Sequence, residues 1–368
     1  MTTKVYFTNM RCKLGDSLLF KLQRLMVKAE FESIDFKKKF VAIKIHFGEP
    51  GNLAFLRPNF AKTVADKITF LKGHPFLTDC GTLYVGRRTN ALAHLDAAYE
   101  NGFTPYSAGC HIVIGDGLKG TDEVEVPING GILLTHAKIG RAIMDADILV
   151  SLNHFKGHEV SGFGGAIKNV GMGSGSRAGK MTMHNDSKPK VSRKLCIGCK
   201  VCAKHCGQDA ISFSDNKAII NPDRCVGCGR CLGSCNQHAI SNSWSSAPDA
   251  MCRKMVEYCK AVVDGRPHFH INIVNQVSPF CDCHSENDAA IIPDIGIFAG
   301  FDPVAVDQAS VDAVNKAYVL AGTFADEHKI KNSDIFTSIH PSTNWKVQVE
   351  HAIKIGLGTS DYELIQVS

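Results

Sequence analysis

No uninterrupted apolar run in this 368-residue chain approaches the length that crosses a bilayer, so no helical membrane span is expected. The opening residues, MTTKVYFTNMRCKLGD, lack the basic, apolar and small-residue regions of a secretory signal, which argues against export and for the cytoplasm. Basic residues are not interleaved with aromatics, the net charge is only +5, and the run Lys37–Lys39 reads as a solvated face. No nucleic-acid partner is expected. What the chain has in excess is glycine, 33 residues, and cysteine, 15. A chain this long, 44% hydrophobic, builds a core without disulfide staples, so in a reducing compartment its cysteines point to metal or redox chemistry.

From residue 1 to about 188 the pattern alternates. Strand-like runs occur at Phe40–Phe47, His74–Asp79, Cys110–Gly117 and Asp147–Phe155, with helical periodicity over Asp16–Ser33, Pro58–Leu71, Arg87–Asn101 and His136–Ala146. The pattern breaks over 189–243 and resumes over 244–368. There a helix (Asp249–Val263), strands at His268–Asn275 and Asp294–Gly300, and a helix capped by Asp302 are expected. The fold class is therefore α/β, a mostly parallel sheet with helices on both faces, interrupted by a small inserted domain.

The insert contains CIGCKVCAKHCGQDAIS followed, 29 residues later, by CVGCGRCLGSCNQHAIS. Each copy is C-x-x-C-x-x-C-x-x-x-C, the spacing that wraps three thiolates around one [4Fe-4S] cluster and sends the fourth to the other. The ligand sets are then Cys196, Cys199, Cys202 and Cys235, and Cys225, Cys228, Cys231 and Cys206. Pairs of C-x-x-C also bind zinc, but the continuation in both copies favours clusters. Over about fifty residues the segment resembles the bacterial two-cluster ferredoxin domain, an α+β unit, which implies one-electron transfer. It departs from that pattern at Gly207 and Asn236, where the family usually has proline.

In an open parallel sheet ligands bind beyond the carboxyl ends of the strands. Those exits deliver His46 and Glu49, Asp79 and Cys80, Asp116, then His154, Lys156 and His158, and finally the segment SPFCDCH. Singly, such residues cap helices or make turns; their coincidence at one rim favours a site. Ser161–His184 is the most glycine-dense stretch and carries Lys168, Arg177 and Lys180. It matches neither the P-loop nor the dinucleotide pattern, which leaves two readings: a backbone cradle for a phosphate or carboxylate, or a flexible loop over a site.

Three blocks, TDCGTLYVGRRTNALAHLDAAYENGF, SLNHFKGHEVSGFGGAIKNVGMGSGSRAGK and DPVAVDQASVD, resemble the conserved segments of domain-of-unknown-function family 362. The resemblance covers nearly the whole chain. It implies an iron-sulfur protein with a two-cluster module and supplies no reaction.

Cys281, Cys283 and His284 stand apart from the eight repeat cysteines. On an extended segment both sulfurs would point to one side, toward an additional metal ion completed by His284 or by His154 and His158. They also read as a redox-active dithiol, or as reduced loop cysteines. For the whole chain the first reading is an iron-sulfur oxidoreductase, with His154 or His158 as acid/base and Lys156 or Lys168 holding a small anionic substrate. The alternatives are a non-catalytic carrier docking a redox partner protein, and an iron-sulfur metal-binding or sensor protein.

Overall fold

The computed structural model describes residues 2–83, 86–184, 189–206, 208–225, 231, 234–235, 237, 239–241, 248–330 and 334–368. Cys228, Gly207 and Asn236 lie outside the described residues. Eight strands form the central sheet: β1 (Thr3–Asn9), β2 (Phe40–Lys44), β3 (His74–Asp79), β4 (His111–Ile114), β5 (Ile148–His154), β6 (His268–Val274), β7 (Gly296–Gly300) and β8 (Tyr362–Gln366). Their order is β8-β1-β7-β6-β5-β2-β3-β4. β7 runs antiparallel to β1 and β6, and the other neighbours pair in parallel. The chain is thus mixed α/β with a large, mostly parallel sheet flanked by helices.

Strand alternation sorts the core into two layers. Val41, Ile43, Val150, Leu152, Phe269 and Ile271 face helices α1 (Leu18–Lys28) and α2 (Pro58–Phe70). The opposite face packs against α3 (Ala166–Ser174), α4 (Pro248–Val263) and α5 (Pro303–Lys316). That second face is polar at its centre. Lys44, Ser151, Asn153, His270 and Asn272 are all buried there and joined by hydrogen bonds, with Asn169 of α3 bridging Lys44 to Asn153.

Two expectations change. His136–Gly140 is a strand paired antiparallel with Glu123–Pro127, and only Arg141–Asp145 is helical. Ala137 and Ile139 are buried two residues apart, a period-two signal inside what reads as a helical segment. The glycine-dense stretch is not an open loop: Gly162–Gly164 is a short strand, followed by α3 and a further helix, Arg177–His184. Its glycines serve close packing, since a Cβ at Gly171 would collide with the Met255 carbonyl of α4.

The described residues between 190 and 241 lie outside the central sheet. Lys190–Val191 pairs with Ile240–Ser241, which sets the two ends of the insert side by side, and Ile211–Ser214 pairs with Lys217–Ile220.

Candidate functional site

Because β2 to β6 of the central sheet are parallel where they adjoin, their carboxyl ends share one rim. Ion pairs buried there cost desolvation that each partner must offset. Lys44 Nζ lies 2.8 Å from Asp79 Oδ1, and Arg88 Nε donates to Glu49 Oε2 at 2.7 Å. Burial works against the Asp79 carboxylate, but the Lys44 charge wins and holds it well below the usual range. His46 Nε2 sits 2.7 Å from Arg88 Nη1 and 3.7 Å from Cys283 Sγ. Burial, then the Arg88 charge, push His46 down to about 4, so it is neutral at pH 7.

The 281–284 segment is a turn rather than an extended strand exit: His284 N–H donates to the Cys281 carbonyl at 3.2 Å. Asp282, fully buried between the cysteines, accepts from His154 Nδ1 at 2.9 Å and faces Lys156 Nζ at 3.3 Å. This clamp sets Cys281 Sγ 2.6 Å from Cys283 Sγ, with Lys168 Nζ 3.4 Å from Cys281 Sγ. Burial opposes ionisation of Cys281, yet the Cys283 hydrogen bond and the charges of Lys168 and Lys156 outweigh it and bring the thiol down to about 6. Burial likewise opposes the Lys168 ammonium, and the two sulfurs more than restore it.

Two adjoining cavities open at the rim. The smaller, about 50 Å³, is lined by Lys44, His46, Asp79, Arg88 and Lys156 among others. The larger, about 450 Å³, is lined by Leu83, Val160 and Met251 together with His158, Glu159 and His184. Thr82, Lys168, Met172, Lys180 and Cys283 line both. Lys168 and Lys180 donate to a sulfur and to the Gly175 carbonyl, not to carboxylates, so both cavities carry positive charge.

Several expected site residues take other places. His154 lines neither cavity; its Nε2 lies 2.8 Å from the Asn275 carbonyl, and its work is to hold Asp282. His284 Nε2 sits 2.9 Å from a Glu159 carboxylate oxygen and lines the larger cavity with Cys283. Among the described residues no three His, Cys, Asp or Glu side chains are disposed to hold one metal ion. Arg177 also lies off the cavities, donating to the Thr89 carbonyl and influenced by Cys231 of the insert. The positive end of α3 is already occupied, because Asp307 accepts from Ala166 N–H at 2.7 Å and Ile167 N–H at 2.9 Å. Asp116, another rim residue, accepts from Gly81 N–H at 2.9 Å.

His158 does line the larger cavity. Its Nδ1 accepts the N–H groups of Val160 and Ser161, both at 3.1 Å, which puts the proton on Nε2. Burial and then the Lys168 charge lower it to about 4, so at neutral pH it is an uncharged hydrogen-bond donor. Lys44 and Arg88 went unmarked in the sequence: Lys44 ends β2, Arg88 sits in the RRT run beyond β3, and nothing local separates either from a surface cation.

In the insert, Cys196, Cys199 and Cys202 line one narrow cavity with Cys235. Ala210 N–H donates to Cys206 Sγ and Ala239 N–H to Cys235 Sγ, both at 3.3 Å and both four residues on, so the repeat is also a repeat of hydrogen bonds. Cys196, Cys202 and Cys231 share an apolar cluster with Leu83 and Met181.

Fold and rim together define an α/β protein with a buried, cation-rich site beside a cysteine-repeat insert. The chain belongs to the family described as Domain of unknown function (DUF362), whose profile matches residues 41–312. No curated protein matches it. Similar solved structures include a protein from Thermotoga maritima, at 13% identity and a TM-score of 0.36, covering 79% of this chain and 57% of that one. Another is the lactate racemase apoprotein from Thermoanaerobacterium thermosaccharolyticum, at 13% identity and a TM-score of 0.34, covering 90% and 75%. The chain therefore spans 57% of the length of the Thermotoga structure. No helix among the described residues is long and apolar enough to cross a membrane.

Proposed function

We propose that this chain is a cytoplasmic iron-sulfur oxidoreductase in which a ferredoxin-type insert links a redox partner protein to a small anionic substrate at the rim. Cys196, Cys199, Cys202 and Cys235 would hold one [4Fe-4S] cluster, and Cys206, Cys225, Cys228 and Cys231 the other. The residues fit the group: four cysteines of the crossover set line one cavity, and backbone N–H groups point at ligand sulfurs in both repeats. When bound, the clusters supply one-electron transfer.

The observation that carries the reading is the shared apolar cluster. Leu83 packs with Cys196, Cys202 and Cys231 on one side and lines the larger rim cavity on the other. Met181 packs in the same cluster, and the next residue back, Lys180, lines both cavities. At the rim the chain's own groups bind and orient. Lys168 and Lys180 attract a carboxylate or phosphate, the Nε2–H of His158 donates to it, and Leu83, Val160 and Met251 exclude water around its apolar part.

Iron and sulfide analysis with electron paramagnetic resonance of anaerobically prepared protein tests this. About eight irons per chain and signals that appear on reduction are expected. Zinc in place of iron, or full iron with signals indifferent to small anions that bind at Lys168 and Lys180, would contradict it.

A further inference from the structure

Three features at the rim meet on one pair of side chains. Cys281 and Cys283 occupy a tight turn with their sulfurs 2.6 Å apart. The turn is pinned through Asp282, whose carboxylate is held by His154 and Lys156, so the pair does not depend on exposed, mobile loop residues. The two sulfurs also differ in access. Cys281 is 1% exposed and lies against the Lys168 ammonium, whereas Cys283 is half-buried and lines both cavities. None of the other cysteines described outside the insert has this arrangement. Burial raises the thiols of Cys80 and Cys259 well above their ordinary value and those of Cys110 and Cys252 to about 12.

We propose that Cys281 and Cys283 form a redox-active dithiol that opens on the larger cavity and reduces small disulfides bearing anionic groups. Cys281 takes the thiol proton of Cys283 across their short contact, and the Cys283 sulfur attacks one sulfur of the substrate. The substrate S–S bond breaks, a Cys283 mixed disulfide forms, and the first thiol leaves with a proton. Once its own proton is lost, Cys281 attacks Cys283 Sγ, the mixed disulfide breaks, the internal disulfide forms, and the second thiol leaves. The sum is protein dithiol plus R–S–S–R giving protein disulfide plus two R–SH. Two electrons and two protons then restore the dithiol. On the iron-sulfur reading above, on which this part rests, the electrons come singly from the insert; in vitro a dithiol reductant such as dithiothreitol supplies both. Lys168 favours the thiolate of Cys281, and Lys168 and Lys180 together draw the anionic disulfide in.

The test uses the full-length protein, oxidised glutathione as the probe, and iodoacetamide labelling read by mass spectrometry. After oxidised glutathione, Cys281 and Cys283 should lose two hydrogens as a pair and resist alkylation, and dithiothreitol should restore both. In Cys281→Ser the adduct should stop as a mixed glutathione disulfide on Cys283. Lys168→Gln should slow labelling of Cys281 at pH 6.5 about threefold, the fall in thiolate fraction that a one-unit rise from a pKa of about 6 gives at that pH. Both cysteines remaining alkylatable after oxidation of the wild-type protein, or labelling indifferent to Lys168→Gln, would overturn the proposal. Iron analysis separates the two readings. Disulfide exchange without iron keeps the dithiol and sinks the cluster-fed oxidoreductase, whereas about eight irons without exchange does the reverse.

Discussion

At the rim, Asp282 is held by His154 and Lys156 from another strand exit more than a hundred residues away in sequence; in the insert, Cys206 and Cys235 each accept an N–H from four residues on. The rim gathers its charges through topology and keeps them by burying ion pairs. The insert sets its sulfurs by local spacing, and among its described cysteines Cys196, Cys202 and Cys231 are buried, Cys206, Cys225 and Cys235 half-buried and Cys199 exposed. The two regions should therefore fail differently. On the proposed reading, losing one thiol from the insert would remove a cofactor while the sheet stands, whereas losing one carboxylate at the rim would leave uncompensated charge inside the protein.

The largest expected effect is Cys196→Ser. Iron should fall from about eight to about four per chain, with unchanged alkylation at Cys281 as the check that the rim persists. Next is Asp282→Asn, which removes the carboxylate facing His154 and Lys156. A loss of about 3–5 kcal/mol in denaturant unfolding is expected, with the iron content of the folded fraction retained. Burial opposes the Asp282 carboxylate, but His154 and Lys156 hold it far below the usual range. Its contribution to stability is therefore complete above about pH 4 and is lost only as the pH falls toward the folded value. An Asp282→Asn protein should lack that part of the acid limb.

Gly165→Ala ranks third. A Cβ there would meet Asp307, which receives the first N–H groups of α3 and so seats Lys168. A cost of about 1–3 kcal/mol and weaker thiolate reactivity at Cys281 are expected, measured by thermal unfolding and iodoacetamide labelling. The smallest is Lys62→Met on α2, where the exposed pair with Asp66 should contribute under about 0.5 kcal/mol and neither region should respond.

The same contrast explains what the sequence discloses. The cysteine repeat stands out in the sequence because the spacing within each copy is local, and Cys196, Cys199, Cys202 and Cys235 line a single cavity. The alternating strands and helices disclose the sheet, and parallel topology then implies that their exits share a rim. The strands at both ends, Thr3–Asn9 and Tyr362–Gln366, escape notice because they have little alternation and find each other only in the folded sheet. Within the rim, roles are not legible. His154 and His158 stand four residues apart in one motif, yet one clamps Asp282 and the other lines a cavity. Glycine density misleads for the opposite reason, since Gly171 serves contact between helices rather than anion binding.

The central claim is that the insert supplies electrons to the rim. It is tested most directly on protein whose Cys281–Cys283 disulfide has been formed with oxidised glutathione, cleared of reagent and given limiting dithionite under anaerobic conditions. The account predicts that cluster signals appear and then decay as two alkylatable thiols emerge at Cys281 and Cys283, one thiol for each electron delivered. Clusters that stay reduced while the turn stays resistant to alkylation would contradict it.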